Sequence, residues 1–206
     1  MDIDQVRKEA KKYFSDAEPA HDWHHVKRVE KLAEKIAEKE GADSQVVKLG
    51  AILHDIGRSR EDRGEIDDHA KWGAREASEI LGDAGFSTET IKQVRHCVRS
   101  HRYSNSIEPE TVEAEVVSDA DNLDAMGATG IARTFAVCGE RGSVMADPEL
   151  PVEEDSTEEG ETSLNHLQKK ILDLENRMYT DTGKSIAAER HSFVEDFVQR
   201  MKEELR

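Results

Sequence analysis

The stretch Val46-Val47-Lys48-Leu49-Gly50-Ala51-Ile52-Leu53-His54-Asp55-Ile56-Gly57 decides how this chain is read. Its first eight residues are apolar over most of a helical circumference, which marks a central, buried helix. At its end an imidazole and a carboxylate stand side by side. Such groups are costly to bury unless something binds them, and a buried carboxylate calls for a cation. Consecutive helical side chains diverge by roughly 100°. Both groups therefore reach one ion only if it sits in the angle between them and other helices close the site.

Two further stretches can supply that closure. Upstream, in Asp22-Trp23-His24-His25-Val26-Lys27-Arg28-Val29, His25 is spaced from Val29, Leu32 and Ile36 by four, three and four residues. That spacing puts it on the buried stripe of a helix. Taken alone, His25 reads equally as a core histidine bonded to a carbonyl. His24 lies on another face, and His21 falls before the helix, with Asp22 as an N-cap. Downstream, in Ser118-Asp119-Ala120-Asp121-Asn122-Leu123-Asp124-Ala125, Asp121 shares its face with Ala114, Val117 and Ala125. Asp124 sits about a turn on, as a substrate-facing carboxylate or a solvated surface group. Asp119 points elsewhere and reads as solvated.

Two His and two Asp from three helices form a mixed nitrogen and oxygen site. It suits Mn²⁺, Fe²⁺, Co²⁺, Ni²⁺ or Zn²⁺ better than a thiolate-preferring metal, whereas Mg²⁺ would prefer more oxygen. Four protein ligands on an octahedral ion leave positions for water and substrate.

The rest of the chain is helical in period. Helices are predicted near 3–15, 22–40, 44–57, 67–82, 87–102, 109–126, 127–138, 162–180 and 183–205, with no sheet: an all-α protein. Gly41, Gly57, Gly82 and Gly127 each follow a helical stretch, as C-terminal caps do. The length of 206 residues fits a single domain, 1–206. Between Gly139 and Glu161 the apolar period stops. Residues 149–161 carry seven acids and no base, which predicts a mobile acidic loop, either a plain excursion or a lid.

The formal net charge is −16. That argues against wrapping duplex nucleic acid, which needs a basic face. It leaves open a small anionic substrate, because a metal and a few Arg can invert the local field. No apolar run reaches the ~20 residues of a membrane helix, and no basic-then-apolar leader opens the chain. Cys97 and Cys138 are too few for a disulfide framework and read as buried thiols, so a cytoplasmic location is expected. Gly183-Lys184-Ser185 lacks the earlier Gly of a phosphate loop, since Met178 stands there, and a P-loop is rejected.

His25 in Asp-x-x-His-x-x-Arg-Val, then His54-Asp55-Ile-Gly, then Ala-Asp121-x-Leu-Asp resembles the HD-domain metal-dependent phosphohydrolase superfamily. The runs 121–135 and 180–190 are similar to its small stand-alone bacterial and archaeal hydrolases, and the resemblance covers roughly residues 20–200. It implies an all-helical HD bundle with the metal site in its core and His25, His54, Asp55 and Asp121 as ligands. Mn²⁺ stands first among the metals, with Co²⁺, Ni²⁺, Fe²⁺, Zn²⁺ or Mg²⁺ behind it. Some relatives hold a second ion through histidines after the His-Asp pair. Here His69 and His101 fall near those places, and contacts to substrate phosphate are the expectation preferred for them. His96 reads as structural.

The expected chemistry is metal-assisted hydrolysis of a small phosphorylated substrate, a nucleoside or deoxynucleoside triphosphate cleaved to monophosphate and pyrophosphate. Arg28, a turn from His25, and Arg58, just after the metal pair, are the expected phosphate clamps. Arg102, Arg133, Lys184 and Arg190 are further candidates. Asp55, Arg28 and Asp124 make up the expected catalytic set, with Asp124 handling a proton. The alternatives are a 5′-nucleotidase, a cyclic phosphodiesterase or a non-catalytic nucleotide sensor.

Overall fold

The structure, a computed structural model, describes residues 2–102 and 107–205. Ten α-helices and no strand occur among these residues: α1 (Ile3–Ala10), α2 (Trp23–Glu40), α3 (Ser44–Leu53), α4 (Arg58–Asp62), α5 (His69–Asp83), α6 (Thr88–Ser100), α7 (Val112–Asp124), α8 (Gly127–Arg141), α9 (Ser163–His166) and α10 (Asp181–Glu204). The all-α expectation therefore holds. The chain divides into two compact units, residues 1–121 and 122–206.

In the first unit α3 is the central helix. It packs on α1, α2 and α6, and Val47, Leu49, Ala51, Ile52 and Leu53 have no exposed surface. Gly50 permits that close packing, since a Cβ there would lie 3.0 Å from Cys97 Cβ on α6 and 3.1 Å from Val117 on α7. Asp22 caps α2, accepting from the His25 amide at 2.9 Å, as its sequence position suggests. Asp43 caps α3 and Ser87 caps α6 in the same way. Gly41, with φ +69°, ends α2 in the left-handed conformation that favours glycine. Arg7 of α1 makes a two-armed ion pair with the buried Glu30 of α2, at 2.5 and 2.8 Å.

Some expectations need correction. The helix anticipated over 44–57 stops at Leu53, and residues 54–57 form a turn that leads into the short α4. Gly57, the last residue of that turn, packs closely on α5: a Cβ there would sit 2.7 Å from the His69 carbonyl oxygen. Gly82 lies inside α5, which runs to Asp83, and Gly85 takes the left-handed conformation (φ +76°) instead. Gly127 opens α8 rather than closing α7.

In the second unit, α8 and α10 pack together, and Phe135 meets Phe197 edge-on with ring centroids 6.0 Å apart. The stretch expected as one helix over 162–180 is three pieces: α9, a wide π turn at Leu167–Ile171 and a 3-10 segment at Leu172–Arg177. Between α8 and α9 the acidic segment has no helix. Its centre is Asp155, whose side chain is fully buried. The carboxylate accepts from the Thr157 amide (2.9 Å) and hydroxyl (2.5 Å), the Glu161 amide (2.8 Å) and Asn165 Nδ2 (2.9 Å). Lys169 Nζ adds its charge at 3.4 Å.

Candidate metal centre

All the residues of this centre lie in the first unit. His25 comes from the first turns of α2, His54 and Asp55 from the turn after α3, and Asp121 from α7. His69 opens α5 and His101 closes α6. His25, His54, His69 and His101 are all buried, and so is Asp55. Asp121 keeps its side chain about a quarter exposed (25 %), so it marks the side facing solvent.

The two oxygens of Asp55 face two groups of imidazoles. Oδ2 lies 3.6 Å from His25 Nε2 and 3.7 Å from His54 Nε2. Oδ1 lies 3.2 Å from His69 Nε2 and 3.6 Å from His101 Nε2. Within the first group the His25 and His54 Nε2 atoms are 3.1 Å apart, and Asp121 Oδ1 is 3.4 Å from His25. Within the second, His69 and His101 Nε2 are 3.3 Å apart. The ligand atoms of His25, His54 and Asp121 lie within 4.8 Å of one another, and so do those of Asp55, His69 and His101.

The hydrogen-bond partners of the rings indicate that this donor set fits a cation. His54 Nδ1 donates to the Ala51 carbonyl at 2.8 Å, and His101 Nδ1 donates to the Val98 carbonyl at 2.7 Å. In a neutral ring the other nitrogen is then a bare lone pair. Both bare Nε2 atoms point at carboxylate oxygens and at other imidazole nitrogens. Acceptors facing acceptors in a buried place repel unless a positive ion lies among them. Burial presses His54 down to about 4, against the pull of Asp55 and Asp121, so the ring is a ready neutral ligand at ordinary pH.

The surrounding side chains complete the field. His69 Nδ1 meets the Glu61 carboxylate, whose other oxygen accepts from Arg102 Nη1 at 2.8 Å. Burial opposes a charge on His69, but Asp55 and Glu61 carry its pKa upward. Arg58, mostly buried, feels Asp55 and donates to Asp62 at 3.1 Å. Arg28 lies half-buried on α2, one turn from His25. His96 accepts from the Glu110 amide at 2.8 Å, in keeping with a structural role.

The remaining sequence candidates lie in the second unit. Asp124 is buried and accepts from Arg133 Nη1 at 2.9 Å. Arg190 donates to the Leu123 carbonyl. Lys184 is exposed on the first turn of α10, 3.7 Å from Asp181. Asp119 and Asp124, read as surface groups in one alternative, are both buried. The sequence reading did not find Glu61. It lies in a charged run, Arg58-Ser59-Arg60-Glu61-Asp62-Arg63, with no periodic signal to separate an inward carboxylate from a solvated one.

An all-helical core that gathers histidines and aspartates around one carboxylate defines a class, helical proteins built around a candidate metal centre. The HD domain family model matches residues 22–126, the span that carries His25, His54, Asp55, His69, His101 and Asp121, and the chain belongs to that family. It is a metal-dependent phosphohydrolase. YpgQ of Bacillus subtilis is 32% identical over 206 residues, covering 98% of this chain and 93% of that protein. Among solved structures, an HD-superfamily hydrolase from Bacillus thuringiensis is 32% identical, with a TM-score of 0.77, covering 98% of this chain and 96% of that one. The structure of B. subtilis YpgQ in complex with ADP is 29% identical, with a TM-score of 0.76, covering 98% and 97%.

Proposed function

We propose that this chain hydrolyses a nucleoside or deoxynucleoside triphosphate to monophosphate and pyrophosphate, with Mn²⁺ as the working metal. The observation that carries the reading is Asp55, whose two oxygens divide between two groups of buried imidazoles. That pattern supports two ions sharing one carboxylate, the first held by His25, His54, Asp55 and Asp121 and the second by Asp55, His69 and His101. Divalent ions held there would supply an acidified water and polarise a phosphoryl oxygen.

The chain's own residues do the rest. Asp121, on the exposed side, leaves the approach to the centre open to a small anion. Arg28, one turn from His25, and Arg58, which feels Asp55, are the cations that would offset the charge developing on phosphoryl oxygens in the transition state. His54 and His101 are held in orientation by hydrogen bonds to backbone carbonyls. The ADP complex of YpgQ supports a nucleotide as the occupant. The small size of the substrate agrees with a chain of net charge −16, which repels extended polyanions. A cytoplasmic setting, rich in nucleotides, follows as part of the same reading.

The test incubates metal-stripped protein with a panel of nucleotides and Mn²⁺, Co²⁺, Ni²⁺ or Mg²⁺ and separates the products. Monophosphate and pyrophosphate, absent with His54→Ala, are expected. Release of inorganic phosphate, or opening of a cyclic nucleotide, would replace the reading with a nucleotidase or phosphodiesterase. Tight nucleotide binding without turnover under every metal would make the protein a sensor.

A further inference from the structure

A histidine ligand needs its second nitrogen held, so that the ring and its lone pair stay aimed at the ion. At this centre the means differ. His54 and His101 each follow a helix and donate from Nδ1 to the carbonyl three residues back, Ala51 and Val98. His69 is the first residue of α5, so no helical turn precedes it to offer such a carbonyl. Its Nδ1 meets the carboxylate of Glu61 instead.

Glu61 is well placed for this. It lies on α4, which the turn at 54–57 brings back over the start of α5. One oxygen takes the imidazole, and the other is pinned by Arg102 Nη1 at 2.8 Å, at the end of α6. We infer that Glu61 is the positioning residue of the second ion site. It holds His69 with the proton on Nδ1 and the lone pair of Nε2 toward Asp55 Oδ1 (3.2 Å) and His101 Nε2 (3.3 Å). Arg102 keeps the carboxylate from turning away. The hydrogen bonds of Glu61 run to His69 and Arg102, so its effect is expected first on the second site. This inference rests on the two-ion reading given above.

The experiment titrates metal-stripped protein with Mn²⁺ by calorimetry and measures bound metal after dialysis. Wild type is expected to take two ions. Glu61→Ala keeps the first with unchanged affinity and binds the second about 10–100-fold more weakly. Glu61→Gln, whose amide oxygen can still accept from Nδ1–H, recovers most of that loss. Retention of the first ion reports that each variant is folded. Unchanged second-ion affinity in Glu61→Ala overturns the inference, and so does equal loss of both ions from both variants. A wild type that takes a single ion overturns the two-ion reading itself, and the inference with it.

Discussion

Asp55 and Asp155 are both buried aspartates, and the chain treats them in opposite ways. Around Asp155 every approach is a donor: two backbone amides, a hydroxyl, a carboxamide and an ammonium. The charge is satisfied from within, and the carboxyl is held far below its usual range by Thr157 and the Glu161 amide despite burial. Around Asp55 the neighbours are imidazole nitrogens, and the rings of His54 and His101 turn their protons to backbone carbonyls instead. A folded chain can neutralise a buried carboxylate with its own donors when the purpose is to hold a loop. When it leaves lone pairs facing the carboxylate, the missing positive charge belongs to something bound.

The sharpest way to break this contrast is Asp55→Ala. Turnover should fall by roughly 10³-fold or more, because both ions lose a shared ligand. Mn²⁺ at a hundred times its dissociation constant should raise wild-type stability by about 2.7 kcal/mol and that of the variant hardly at all. Full metal content in Asp55→Ala would end the assignment. Arg28→Ala comes next. It should lower kcat/KM by about 10²-fold with bound metal unchanged, since it acts on the phosphate and not on the ion. Loss of metal along with activity would move Arg28 from substrate to scaffold.

Gly57→Ala sharpens the comparison from the packing side. The added methyl would press on the His69 carbonyl at 2.7 Å and on Trp72 at 3.1 Å. We expect about 1–3 kcal/mol of destabilisation in urea titrations, with the second ion weakened more than the first. Equal metal affinity would show that α5 shifts without disturbing His69. Asp155→Asn should have the smallest effect on the centre: unchanged metal content and turnover, but faster proteolytic cleavage between residues 142 and 162. In wild type the pH dependence follows from a depressed carboxyl. The loop's protection is present above the ordinary aspartate range, near pH 3.9, and fades only as the pH falls through the still lower folded-state value. Protection lost already at neutral pH would contradict the hydrogen-bonded account of Asp155.

Much of this is legible in the sequence. The apolar surround of Val46–Leu53 announced a central helix, and the structure buries it on α1, α2 and α6. His25 and Asp121 declared their inward faces through i, i+3 and i+4 spacing, and they meet His54 within hydrogen-bonding or near-contact distance. Asp22 announced the start of α2. Three features were not readable. Asp119 looked like a solvated position, and for Asp124 a solvated alternative stood beside the catalytic one, because a charged residue on a helix has no local mark of burial; both are buried. The turn after Leu53 sets Gly57 against the backbone of His69, a contact across twelve residues that no local pattern marks. Glu61 sits in a run of charges that looks solvated throughout.

The sequence by itself determined the all-helical class, the central helix and the inward residues, because helical period and apolar spacing are local and repeat every few residues. Only the tertiary structure decided that Asp55 divides its oxygens between two groups, that His69 and His101 stand as a pair, and that Glu61 and Arg102 hold one of them. Those facts are distances between side chains on different helices, set by how α2 to α7 pack, and no spacing along the chain encodes them.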